Sequence, residues 1–321
     1  MASGAIELGR LAALRPFPAL GAPMGLRAVV LLAGSVRESE LSRGVGRSLL
    51  DLPIAAGQNI LAHWHAHVER LATRLGQATL PLRVVINRKG HAPGVGPNSA
   101  RFPLTIEQDR SEYRGTGGVL RDLTESYEES DRILVASAAQ VLTEPLDDLA
   151  ADLVAADDDV ALMAHEDGTP SGLFVVRCGA LTDIRSGGFV DFKEQVLPRL
   201  ASEGQSIRVL RRDLPGAIPV RTLDGYMAAV RAIARLAACR PMAHDPFEED
   251  WAPTFSLVEG GAAVSPGATI HDSVVLAGGT VGGGAVVVRS VVCPGGSVRP
   301  GMTVADQIVT PGMREQKGPR P

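Results

Sequence analysis

The chain has 321 residues, 45% of them hydrophobic, with 32 basic against 36 acidic side chains and a formal net charge of −4. At roughly 100–200 residues per domain, this length predicts about two domains, each able to bury a core. Charge this near balance argues against a nucleic-acid wrap or a polybasic membrane patch, and no apolar run reaches the roughly 18 residues of a membrane span.

Residues 1–25 are rich in Ala, Leu, Pro and Gly but broken by Glu7, Arg10 and Arg15, so they read as a flexible extension without a signal-peptide core. The protein is accordingly expected in the cytoplasm. From 26 to 240 an α/β domain is predicted. The apolar run 28–33, ending at Gly34, suits a strand buried on both faces. In 60–75, Ile60, Leu61, Trp64, Val68, Leu71 and Leu75 fall at helical spacing. Strands follow at 82–86 and 133–135, with a helix over 119–128 entered from a glycine turn. Further strand and helix are expected at 160–163, 172–176, 189–200 and 223–236. Alternation of buried strands with helices means a mainly parallel sheet.

Residues 241–258, with their prolines and acids, read as a linker. Over 259–312 helices vanish and a sixfold beat appears. Val264, Ile270 and Leu276 are followed, after a five-residue step, by Val281, Val287 and Cys293, then by Val298 and Val304. Glycine-rich turns separate them, which predicts a short parallel β-helix of about two and a half coils. Residues 313–321 read as a flexible tail.

The cysteines, Cys178, Cys239 and Cys293, are odd in number and far apart, which suits neither a disulfide framework nor a zinc site. Cys178 and Cys293 lie in apolar contexts and are expected to be small buried hydrophobes. His63, His65 and His67 alternate on the first helix, a spacing that scatters them over its faces rather than gathering metal ligands. The run Asp157-Asp158-Asp159 reads as a solvated loop, and His271 as part of a surface turn.

Several segments, in order, carry a resemblance. They are Leu31-Leu32-Ala33-Gly34, 57–63 (GQNILAH), 115–120 (GTGGVL), 133–143, 191–198 (DFKEQVLP), 222–226 (TLDGY), and the turns 272–275 (DSVV) and 289–292 (RSVV). Together they resemble the sugar-1-phosphate nucleotidyltransferases, the NDP-sugar pyrophosphorylases exemplified by mannose-1-phosphate guanylyltransferase. The resemblance implies a Rossmann-like nucleotidyltransferase domain with a mainly parallel sheet, followed by a short left-handed β-helix. It also implies attack of a sugar phosphate on the α-phosphorus of an NTP, with Mg²⁺ as cofactor if the chain is active. Such a transition state is electron-rich, so catalysis rests on positioning and positive charge.

By this resemblance, nucleotide-binding residues are expected at Ala33, Gly34, Ser35, Gly115, Thr116, Gly117 and Gly118, with Arg37 and Arg47 as phosphate contacts. The departures are as informative. The first loop keeps one glycine and carries Glu38 and Glu40 where a triphosphate would lie. The family's loop lysine is missing: only Lys89, Lys193 and Lys317 occur, so arginine supplies 29 of the 32 basic side chains. Gln140 and Pro219 stand at the two metal-aspartate positions, so no metal ligand is expected from them. The acceptor-binding excursion between 165 and 171 is absent.

Three readings follow. The first is a nucleotide- or NDP-sugar-binding protein with degraded or lost catalysis, forming a homo-oligomer or pairing with an active relative through the β-helix. The second is a divergent but active nucleotidyltransferase in which Asp122, Asp191 or Asp224 recruits the metal. The third is a structural oligomerisation module without ligand.

Overall fold

The computed structural model describes residues 25–34, 39–94, 101–110, 113–212, 216–238 and 254–312. The expected extension, Ser35, Arg37, Glu38, Cys239, most of the expected linker and the tail lie outside the described residues. In chain order the first half contains β1 (Leu26–Leu32), α1 (Glu40–Val45), β2 (Pro53–Ala55), β3 (Gln58–Asn59), α2 (Ile60–Arg74), β4 (Leu82–Ile86) and β5 (Leu104–Gln108). There follow α3 (Gly115–Thr124), β6 (Arg132–Ser137), β7 (Gln140–Leu142), α4 (Leu146–Ala155), β8 (Val160–His165), β9 (Pro170–Arg177), α5 (Leu197–Ser202), β10 (Ile207–Arg212), β11 (Ala217–Pro219) and α6 (Leu223–Ala238).

Seven strands form one sheet in the order β10-β8-β9-β6-β1-β4-β5. All neighbours pair in parallel except β9, which runs antiparallel to both β6 and β8. The antiparallel strand has a local cause: β8 and β9 are joined by a short hairpin closed by His165 N–H donating to the Thr169 carbonyl, with Gly168 at φ 84°. The resemblance expects an acceptor-binding excursion here, and a turn as short as this one reverses the chain. Strands β1, β4 and β6 are buried on both sides, whereas the edge strands β5 and β10 are largely exposed. Val29 and Leu31 pack with α2, α4 and α6, whereas Ala28 and Val30 pack with α3 and the 178–200 segment.

Short strands such as β5, β7, β10 and β11 are absent from the pattern-based expectation. Each is too brief or too polar to show a period. The acidic run is not merely solvated. Arg177 pairs with Asp157 and Asp159, Arg208 pairs with Asp158, and Ser206 bonds Asp159, so the run ties β9 and β10 to the entry of β8.

The C-terminal strands are β12 (Ser256–Val258), β13 (Ala263–Val264), β14 (Thr269–His271), β15 (Ser273–Val275), β16 (Thr280–Val281), β17 (Val286–Val288), β18 (Val291–Val292), β19 (Ser297–Val298), β20 (Thr303–Ala305) and β21 (Ile308–Val309). They make three parallel sheets, β12-β15-β18-β21, β13-β16-β19 and β14-β17-β20, an arrangement consistent with a β-helix. Ser256 pairs with Ser273, 17 residues on, and the same offset recurs through the stack. The 6-6-5 beat of the sequence is that offset. The first rung begins at Ser256, inside the stretch expected as linker, so there are just over three turns rather than two and a half. Its polar flanks hide that first rung from an apolar beat.

One corner repeats too: Asp272, Arg289 and Asp306 all adopt positive φ (47°, 43° and 56°). Behind it, the buried Ser273 and Ser290 hydroxyls each accept an N–H from the next turn. Val281, Val287, Val292 and Val298 fill the interior.

The coil packs on the α/β half through Phe255, Val274, Leu276, Val291 and Cys293, which join the same core as Leu41, Val45 and Tyr226. The Tyr226 hydroxyl donates to the Pro53 carbonyl at 2.6 Å, and burial pushes its phenol well above the usual value. Burial likewise raises the Cys178 and Cys293 thiols to about 12 and about 11, in keeping with inert packing roles. No described helix is long and apolar enough to cross a membrane.

Candidate functional site

In an open α/β sheet, the crevice for a ligand forms outside the C-terminal strand ends where the strand order reverses. Here the chain moves from β1 outward to β4 and β5, then returns to the other side of β1 for β6. A cleft opens at that point, with Ala33 and Gly34 leaving β1, Ile86 and Asn87 leaving β4, and Ser137 to Ala139 leaving β6. Its floor is an extension of the ladder: Ala33 N–H donates to the Val85 carbonyl and Ala138 N–H to the Leu32 carbonyl. A Cβ on Gly34 would lie 3.3 Å from the Asn87 backbone nitrogen, so β1 and β4 approach closely here.

The remaining wall comes from Ser39, Ser42, Arg47 and Ser48 on one side and from His91 and Arg221 on the other. Ser39 caps α1 by accepting the Ser42 N–H at 3.1 Å. None of the described residues lining the cleft is an Asp or Glu. Arg47 is not idle: it pairs with Glu259 of the coil at 2.6 Å, and Glu259 also accepts the Ala277 N–H. Beside this pair, burial raises the Asp51 carboxyl, partly offset by the Gly94 N–H it accepts and by Arg47.

Of the residues expected at the site, Ala33, Gly34 and Arg47 converge on this cleft. Gly115 to Gly118 open α3 instead and are not among its lining residues. Their glycines answer a packing demand. A Cβ on Gly115, at φ 73°, would collide with the Val190 carbonyl, and one on Gly118 would lie 2.8 Å from the Arg114 guanidinium. The Gly117 and Gly118 N–H groups donate to Val190, and Thr116 accepts the Phe192 N–H. Arg114 is buried and clamps Asp122 through two bonds of 2.9 and 3.0 Å.

Gln140 and Pro219 sit directly opposite each other in the antiparallel β7–β11 pair. Two segments 79 residues apart in sequence thus bring together, next to the end of β6, the two positions that the resemblance aligns with metal aspartates. The group they would hold does not fit. Gln140 offers a neutral amide whose Nε2 has no hydrogen-bond partner, and Pro219 offers no side-chain donor atom. Among the described residues no three His, Cys, Asp or Glu side chains gather as a metal site. The alternative acids are engaged elsewhere or stand apart: Asp122 on Arg114, Asp191 capping the 192–196 turn, and Asp224 at the start of α6.

Helix α2 holds this segment in place. Trp64, fully buried, donates from Nε1 to the Gln140 carbonyl at 3.0 Å. His63 Nε2 lies 2.9 Å from the Leu142 carbonyl and so carries a proton, while His67 Nδ1 accepts the Leu146 N–H at 3.2 Å. The two rings share a helix face at four-residue spacing, 4.5 Å apart. The i, i+2 alternation conceals that pairing. Burial, followed by the neighbouring His63, lowers His67 to about 4, and burial lowers His63 as well. His65 turns away, to the Phe102 carbonyl. Arg221, Asn87 and His91 were not legible as site residues, because only the reversal of strand order gathers them.

No protein-family model matches the chain. No curated protein is similar to it. Among solved structures, HddC from Yersinia pseudotuberculosis is similar at 14% identity over 65% of this chain and 100% of that one, with a TM-score of 0.49. The same protein complexed with GMP-PN gives 15% identity over 65% and 100%, with a TM-score of 0.45. A homologue of Mycobacterium tuberculosis rv0371c from Mycobacterium sp. strain JC1 gives 18% identity over 65% and 97%, with a TM-score of 0.43.

Proposed function

We propose that this chain is a sugar-phosphate nucleotidyltransferase-like protein that binds a nucleotide or NDP-sugar in the β1–β6 cleft and has lost turnover. The observation that carries this reading is the pairing of Gln140 with Pro219. The resemblance expects two carboxylates at these positions. Their meeting across one β ladder supports the alignment, and their side chains supply no anionic metal ligand. The cleft at the strand-order reversal supports retained binding.

The test is thermal unfolding and titration calorimetry of the full chain with the four NTPs and a panel of NDP-sugars. A ligand at 100 times its Kd adds about 2.7 kcal/mol of stability, a shift of several degrees. One nucleotide class is expected to bind, with no pyrophosphate released when an NTP and sugar 1-phosphates are supplied together. Sustained pyrophosphate release would show that turnover survives and would overturn the loss of catalysis. A flat panel would overturn nucleotide binding.

A further inference from the structure

We infer that the cleft recognises phosphate groups through fixed guanidinium charge in place of a divalent cation, so that its ligand binds without Mg²⁺. This inference rests on the nucleotide reading above and adds to it the chemical state of the ligand.

The argument begins with charge. A Mg²⁺ ion carried by a polyphosphate keeps several of its waters and is usually anchored to the protein through one or two carboxylates. At the positions where such carboxylates would stand, this chain has the Gln140 amide and the Pro219 ring, paired across the β7–β11 ladder. Gln140 is 4% exposed, and its side chain is a neutral amide that brings no negative charge to offset a cation. The amide and Ser137, which lines the cleft, flank the same side of Gly172.

Two residues beyond Pro219 the chain carries Arg221, which lines the cleft. Arg47 lines it from the α1 side. With no Asp or Glu among the described lining residues, Arg47 and Arg221 are the lining groups of fixed charge, and Glu259 offsets part of the Arg47 charge. A guanidinium offers paired N–H donors matched to phosphate oxygens and retains its charge at any working pH. A metal-bound polyphosphate would bring a cation against these same groups, in a cleft where charges are poorly screened. The free polyphosphate is therefore the better ligand.

Arg47 also reaches Glu259 at 2.6 Å, so a phosphate competes with that carboxylate for one guanidinium. Arg221 is exposed and lines the cleft from a separate segment, so it is the residue to vary.

The experiment is calorimetric titration of the full chain with ATP, GTP, CTP, UTP and inorganic pyrophosphate, each in EDTA and in excess Mg²⁺. At least one nucleotide is expected to bind as tightly or more tightly in EDTA. Arg221→Ala is expected to weaken that binding at least tenfold in a chain that still unfolds cooperatively, and Arg221→Lys to restore only part of it. Binding seen only with Mg²⁺, or an unaltered Kd in Arg221→Ala, would overturn the inference while nucleotide binding stood. Pyrophosphate bound in EDTA with no nucleotide bound would support the metal-free phosphate site and overturn the nucleotide reading. No binding of any probe in either condition would overturn both.

Discussion

Parallel strands build both the central sheet and the C-terminal coil, but the two regions hold those strands by different means. In the coil each turn repeats its predecessor. Val281 stacks on Val298 and Val287 on Val304, and Ser273 and Ser290 bond the following turn in the same way. In the α/β half the segment that shapes the cleft hangs on single partners far away in sequence. Trp64 reaches Gln140 across 76 residues, Tyr226 reaches Pro53 across 173 and Arg47 reaches Glu259 across 212. A repeated contact spreads its contribution over every rung, whereas a lone anchor concentrates it. The coil is therefore the uniform part of the molecule and the cleft the vulnerable one.

Removing an anchor is the hardest way to break this contrast. Trp64→Ala deletes a fully buried indole and the bond to Gln140, and is expected to cost about 3–5 kcal/mol in denaturant unfolding. A loss under about 1 kcal/mol would mean that the β6–β7 segment stands without α2. The coil's uniformity is the next test. Val281→Ala and Val298→Ala empty equivalent sites on adjacent rungs, so each is expected to cost about 1–2 kcal/mol, and the two costs to agree closely. Widely different costs would end the comparison.

The junction between the regions gives a smaller effect. Glu259→Gln weakens the Arg47 pair, partly exposed on both sides, and is expected to cost about 1 kcal/mol. The same variant frees Arg47 and should tighten phosphate binding, which calorimetry would detect.

The mildest prediction concerns pH. His67 is held at about 4 in the fold against an ordinary imidazole value in the unfolded chain. Its neutral form belongs to the native state, so its contribution is full above about pH 6.5 and declines as pH falls toward 4. Tm should drop over that window, and His67→Gln, which keeps an acceptor for the Leu146 N–H, should flatten the drop.

How much of this was legible in the residues depends on how far apart the interacting parts lie. The 6-6-5 beat declared the coil because each rung's side chains meet copies of themselves one turn away. Buried runs such as 28–33 declared the sheet strands, and the helical spacing of Ile60, Trp64 and Val68 declared α2, since burial on one face or two leaves a local period. The substitutions at Gln140 and Pro219 could be read by resemblance. That they face each other could not, because a ladder register between segments 79 residues apart leaves no trace in either segment.

The same holds for the three histidines and for the glycines of 115–118. Sequence spacing suggested scattered rings, and the resemblance suggested nucleotide contacts at the glycines. Tertiary packing instead gave His63 and His67 carbonyl and amide partners, and set Val190 and Arg114 against the glycines. The sequence by itself determined the buried strands, the amphipathic helix α2 and which half repeats, because those follow from solvent exposure along one stretch of chain. Only the tertiary structure decided which charges share a cleft. Arg47, Arg221 and His91 come together solely because the strand order reverses between β1 and β6, and that reversal is a property of the whole sheet.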